Sequence, residues 1–146
     1  MTPEQYEQEF ECSFTAAVSG SYYGRLITKA DKDGRIGYVP VDDNAGVETW
    51  WDLGIGDSTA IWFAQRIGEE VHLIDYYENS GESLAHYVDV LTEKDYAYSC
   101  HIAPHDIQAR ELGTGKSRLE VAAELGLDFQ VAPKLEVDHG IESVRN

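Results

Sequence analysis

The pattern of apolar and polar positions predicts a lead segment followed by alternating strands and helices. Over residues 1–20, Tyr6, Phe10 and Phe14 recur every fourth position among Glu4, Glu7, Glu9 and Glu11, an amphipathic helical period. Thr2 before Pro3 fits the N-cap and first position of such a helix, and Gly20-Ser21 ends it. A polar stretch from Lys29 to Arg35 contains a turn at Asp33-Gly34, and Ile36 to Val41 reads as a short strand. Asp42 to Gly46 is a loop that divides a lead segment, 1–45, from a main fold, 46–146. In the main fold, Thr49 to Leu53, Ser58 to Arg66 and Val71 to Tyr77 read as strands joined by tight turns at Gly54 to Asp57 and Gly68-Glu69. Glu82 to Glu93 carries a helical period through Leu84, Tyr87, Val88 and Leu91. Tyr98 to Ala103 is a fourth strand, Ile107 to Leu112 a short helix, and Ser117 to Leu125 a further helix with Gly126 as its C-cap. Phe129 to Ala132 is a fifth strand, and Val137 to Arg145 begins a last helix.

That order predicts an α/β fold: an antiparallel three-strand meander, then parallel crossover strands with flanking helices, the mixed sheet of a ribonuclease H-like fold. Composition agrees with a folded domain. The chain has 146 residues and is 42% hydrophobic, enough for a core and too apolar for a disordered acidic tail. No stretch approaches the roughly 20 apolar residues of a membrane span, and the first ten residues lack the basic and apolar regions of a signal peptide. Cys12 and Cys100 are too far apart for a disulfide framework and read as free thiols of a cytoplasmic protein. With 27 acidic and 11 basic side chains, the net charge of −16 argues at first against nucleic acid.

The candidate chemistry qualifies that exclusion. Asp52 follows Thr49-Trp50-Trp51 and precedes Gly54 and Gly56, which puts a carboxylate at the end of a rigid strand; the alternative is an Asx-turn residue closing a hairpin. Asp106 lies just past the fourth strand, where it could also cap the helix at Ile107. If the first and fourth strands are neighbours, the two carboxylates converge at the carboxyl end of the sheet, where ligands sit in parallel crossover folds. A pair of hard oxygen donors with open water positions suits Mg²⁺ or Mn²⁺. Asp75 could face the same site or be a solvent residue at a strand end, and Asp57 could support Asp52 or be a turn acid. His101 and His105 have a zinc-like four-residue spacing, but across a strand end and a proline rather than on a helix. Gly113-Thr114-Gly115-Lys116-Ser117 resembles the end of a phosphate-binding loop, yet Arg110 stands where its first glycine belongs and no strand leads in. Arg110, Lys116 and Arg118 could still touch phosphate from a loop. Asp31-Lys32-Asp33-Gly34 has its glycine too early for a calcium loop.

Taken together, Trp51 to Phe63, Ile74-Asp75-Tyr76-Tyr77-Glu78 and Pro104-His105-Asp106 resemble the nuclease domain of tailed-phage terminase large subunits. Glu9 to Phe14 with Gly20 to Tyr23 is similar to the linker between the ATPase and nuclease domains of that family, and Gly140 to Arg145 to a later nuclease stretch. The resemblance implies an endonuclease that cuts concatemeric double-stranded DNA during genome packaging in the host cytoplasm. It implies Asp52 and Asp106 as catalytic metal ligands, and two Mg²⁺ or Mn²⁺ ions about 3.5–4 Å apart, one activating water and one stabilising the leaving oxygen. The implied partners are DNA, the terminase ATPase domain, the small terminase subunit and the portal protein.

The chain departs from the family in lacking the ATPase domain and the third acid, which sits in a late His-x-x-Asp-Ala helix. His139-Gly140-Ile141-Glu142 offers Glu142, or Asp138, as a substitute ligand. A fragment is expected, with cutting in doubt and with weak, salt-sensitive DNA affinity in isolation. The rival readings are a non-enzymatic remnant that binds other packaging proteins and a nucleotide-binding domain of the actin and sugar-kinase type.

Overall fold

A computed structural model of the chain describes residues 22–54 and 58–145. The expected lead helix over 1–20, Cys12, Gly56 and the turn acid Asp57 lie outside them. The chain divides into two compact units, one holding residues 39–134 and the other the described residues 22–38 and 135–145.

The unit over 39–134 is built on one five-stranded sheet: β1 (Val47–Asp52), β2 (Ser58–Ile67), β3 (Glu70–Ser80), β4 (Tyr98–Ala103) and β5 (Phe129–Val131). The spatial order is β3-β2-β1-β4-β5. The β1–β2 and β2–β3 pairs are antiparallel and β1–β4 and β4–β5 are parallel, the mixed ribonuclease H-like sheet expected from the order of elements. Strand alternation decides what each face carries. Val47, Thr49 and Trp51 of β1, opposite Gln65, Phe63 and Ile61 of β2, turn to the inner face. Helices α2 (Leu84–Lys94) and α3 (Arg118–Glu124), with the 3₁₀ turn His105–Gln108, bury that face through Tyr87, Leu91, Ile107 and Ala122. Trp51 sits at the centre, edge-on to Tyr87 at 5.9 Å and to Phe129 at 5.1 Å between ring centroids. Before β1, Gly46 meets the β4 segment so closely that an added Cβ would lie 2.7 Å from the Ser99 Cβ.

Two buried polar groups organise this core. Gln65 is fully buried; its Nε2 donates to the Asp42 and Ala45 carbonyls at 2.8 and 2.7 Å, and its Oε1 accepts from the Asp42 amide at 2.9 Å. One side chain thereby fastens the loop ahead of β1. Thr49, also fully buried, accepts from Trp51 Nε1 at 2.7 Å and lies 2.7 Å from His101 Nδ1. The Thr49 hydroxyl thereby links the Trp51 indole to the His101 ring across β1 and β4.

Burial pushes the His101 pKa below its ordinary value, and the charge of Asp128 only partly opposes this. A folded-state pKa below the unfolded one means that the unfolded chain binds the proton more readily. The associated stability is therefore present above about pH 6.5 and is lost as the pH falls below it. Thermal unfolding of the chain should show a falling midpoint from about pH 6.5 downward, and a flatter fall in His101→Gln. Identical slopes in the two proteins would contradict this.

Three sequence expectations change. Ile36 to Val41 forms no strand: Pro40 lacks an amide proton, Gly37 weakens the run, and Tyr38 is 93% exposed, so the apolar positions face no core. The helix expected over Ile107–Leu112 is instead the 3₁₀ turn His105–Gln108, because the chain leaves it to bridge Arg110 to Ser117. The N-cap of that turn is Pro104, so Asp106 is not a cap; it lies in the first turn.

In the other unit, α1 (Gly24–Lys32) was not anticipated from the sequence, and α4 (Val137–Arg145) runs over the expected residues. The Arg145 guanidinium lies 5.6 Å from the Tyr22 ring centroid and its Nε donates to the Tyr22 carbonyl at 3.2 Å. Among the described residues, no helix is long and apolar enough to cross a membrane.

Candidate functional site at the carboxyl edge of the sheet

Of the candidate residues, Asp52 and Asp106 lie at or just past the carboxyl ends of β1 and β4. β1 and β4 are adjacent and parallel, with Thr49 opposite His101 and Trp50 opposite Ile102. Asp52 is the last residue of β1, and Asp106 follows the end of β4 by three residues. Both leave the sheet at the same edge. Both are exposed, and among the described residues neither makes an ion pair. Ile107, 1% exposed, locks the 3₁₀ turn that carries Asp106 into the core.

Immediately after Asp52 the chain lines a cleft of about 380 Å³, bounded by Leu53, Gly54, Thr59, Ser83, Tyr87 and Arg118. Arg118, the first residue of α3, donates from NH1 to the Leu53 carbonyl at 3.4 Å and from Nε to Glu111 at 3.3 Å. It ties the start of α3 to the end of β1, one residue from Asp52. Ser117 fixes that helix start in a capping box: its hydroxyl accepts from the Glu120 amide at 3.2 Å, while Glu120 accepts from the Ser117 amide at 2.7 Å.

The other candidates fall in different places. Asp75 is not at a strand end, because β3 continues to Ser80. It pairs across the sheet with Phe63 on the inner face, forms a short ion pair with Lys94 and accepts from the Tyr96 hydroxyl at 3.1 Å. These partners and the Tyr76 amide hold its carboxyl below the usual carboxylate range although burial opposes them. Lys94 also lies 5.1 Å from the Phe63 ring centroid, so this group fastens α2 to β3. Glu78, not Asp75, is level with Asp52: Asp52 pairs with Ala60, and Ala60 with Glu78. The sequence does not reveal this, because it depends on where β3 stops and on a bulge opposite Phe63 and Ala64.

His101 and His105 stand on different elements, the first engaged with Thr49 and the second exposed on the 3₁₀ turn. Arg110, Lys116 and Arg118 each face an acid: Glu120 at 3.9 Å, Glu124, and Glu111 at 3.3 Å. The glycine-rich Gly113–Ser117 stretch closes a small loop, with Gly115 at φ +70° donating to the Glu111 carbonyl at 2.8 Å. Asp138 and Glu142 are exposed residues of α4, in the other unit. Among the described residues, no group of three or more His, Cys, Asp or Glu side chains is arranged to hold a metal ion.

The fold matches that of solved structures of the large terminase from a thermophilic bacteriophage. One aligns with a TM-score of 0.56 at 15% identity, over 75% of this chain and 28% of that one. A second structure of that large terminase, in complex with ADP, aligns with a TM-score of 0.54 at 15% identity, over 73% of this chain and 27% of that one. The chain thus spans under a third of the length of that protein. No protein-family model and no curated protein matches the sequence.

Proposed function

We propose that this chain is a terminase-type nuclease domain that hydrolyses phosphodiester bonds of double-stranded DNA with Mg²⁺ or Mn²⁺ held between Asp52 and Asp106. The observation that carries the reading is the parallel pairing of β1 with β4, which sends both carboxylates off one edge of the sheet. Two exposed carboxylates without ion-pair partners fit Mg²⁺ or Mn²⁺, hard cations that accept one or two carboxylates and keep positions for water and a substrate phosphate. When bound, such ions supply a nucleophilic water and stabilise the leaving oxygen. The protein's part is placement: β1 and the Arg118–Leu53 contact hold the Asp52 end, and the Ile107 anchor holds the Asp106 turn. The cleft beside Gly54 gives the substrate backbone a place to approach. Work on phage DNA within a packaging motor, alongside an ATPase domain, a small subunit and a portal, is part of the same proposal, supported by the fold shared with a large terminase.

A second reading has its own support. With no group of three His, Cys, Asp or Glu side chains arranged to hold a metal among the described residues, a non-enzymatic remnant that binds packaging proteins is the alternative. A crystal soaked in Mn²⁺ separates them: metal density between Asp52 and Asp106 is expected. Carboxylates more than about 8 Å apart would sink the nuclease reading, because oxygens at 2.0–2.6 Å could not share an ion.

A further inference from the structure

The inner face of the sheet is buried under α2 and α3, whereas its outer face carries large exposed aromatic and apolar groups. The cross-strand register places Trp50, Trp62 and Tyr76 in one row on that face, across β1, β2 and β3. Trp62 is 44% and Tyr76 40% exposed, and their ring centroids lie 4.5 Å apart. Leu73 and Val71 of β3 extend the apolar strip, each 44% exposed. Contiguous exposure of this kind marks an interaction surface rather than ordinary surface scatter.

A second row, two residues nearer the carboxyl edge, consists of Asp52, Ala60 and Glu78. With strands about 4.8 Å apart, the two acids flank the small Ala60 across roughly 10 Å, leaving a notch floored by a methyl group. The Tyr76 hydroxyl donates to Glu78 at 2.6 Å, which turns the tyrosine ring along the notch. On the same face Arg66 is already spent on Glu48 at 2.7 Å, and Glu48 also accepts from Trp50 Nε1 at 3.0 Å.

We propose that this face docks an arginine-bearing segment of a protein partner, with a guanidinium lying over Ala60 between Asp52 and Glu78 and against the Trp62–Tyr76 pair. Charge complementarity selects that occupant. A guanidinium is planar, stacks on indole and phenol faces, and meets carboxylates through directed N–H groups. A second copy of the chain would bring another −16 of charge and oppose acid to acid. Without a bridging cation, a DNA strand would set phosphates against Asp52 and Glu78. The proposal goes beyond the nuclease reading and concerns the metal-free chain, in which Asp52 is open to a guanidinium.

The test uses a fluorescein-labelled peptide of alternating Arg and Thr, in EDTA, with anisotropy as the readout. Asp52 is left unaltered because it belongs to the candidate metal site. The chain should bind the peptide, and a Gln-for-Arg peptide should not. Glu78→Gln and Trp62→Thr, the latter keeping strand propensity, should each weaken binding about three- to tenfold. Asp89→Asn removes one exposed acid from α2, across the sheet, and should change binding by less than about twofold. Unchanged far-ultraviolet circular dichroism shows that the variants fold, and Trp62→Phe, which keeps an aromatic ring, should recover part of the loss. Equal weakening by Asp89→Asn and Glu78→Gln would reduce the effect to net charge and overturn the proposal. No binding of the Arg peptide would overturn it too.

Discussion

Asp52→Asn should reduce Mn²⁺-dependent nicking of supercoiled plasmid by about a thousandfold. The substitution keeps the size of the side chain and its place at the end of β1, but replaces an anionic oxygen by an amide. A ligand that stabilises the developing charge through a cation is worth several kcal/mol in the transition state, and about 4 kcal/mol corresponds to three powers of ten in rate. Asp106→Asn should match it, and the double variant should be little worse than either, because two ligands of one site act as a unit. Stability should hardly move, since both carboxylates are exposed and neither makes an ion pair among the described residues. Equal background nicking in the wild type and Asp52→Asn would favour the non-enzymatic remnant.

The second large effect concerns the core. Gln65→Leu keeps the volume but strips the loop 42–45 of three hydrogen bonds, stranding the Asp42 amide and the Asp42 and Ala45 carbonyls. Each group left unpaired in a buried setting costs about 1–3 kcal/mol, and partial hydration of a surface loop returns some of that. We expect a net loss of about 3 kcal/mol in urea unfolding with the slope unchanged. Gln65→Glu should be at least as damaging, because a carboxylate would face two carbonyl oxygens in place of the amide donor. A loss under about 1 kcal/mol would mean that water replaces the side chain easily.

How far these features could be read from the sequence follows from which signals are local. β4 and α4 fall on the expected residues, because Tyr98 to Ala103 is a short apolar-rich run closed by Pro104 and Val137 to Arg145 keeps a helical period. β2 was legible as a strand, but the run Ala60-Ile61-Trp62-Phe63 is apolar at every position, so its two faces were not distinguishable. Register assigns Ile61 and Phe63 to the core and leaves Trp62 outside. α1 was hidden because none of its residues is buried and its large apolar residues are only two, Leu26 and Ile27. Gln65 gave no signal, since a polar residue in a strand reads as outward-facing until its partners twenty residues away are known. The parallel pairing of β1 with β4 was legible from element order, because β4 follows a helical crossover. The placement of Asp75 was not, because Lys94 and Tyr96 come to it from across the sheet.

The parallel pairing of β1 with β4 also sets a sequence in time. β1, β2 and β3 follow one another with few residues between them, and antiparallel pairs so close in sequence form in microseconds from local contacts. The β1–β4 pairing joins residues as far apart as Thr49 and His101, 52 positions along the chain, and must wait for a much larger loop to close. A molecule with its meander formed would present Asp52 on a finished strand before Asp106 arrived. Under the proposed nuclease function, the edge that carries both carboxylates is complete only in a chain that has finished its crossover.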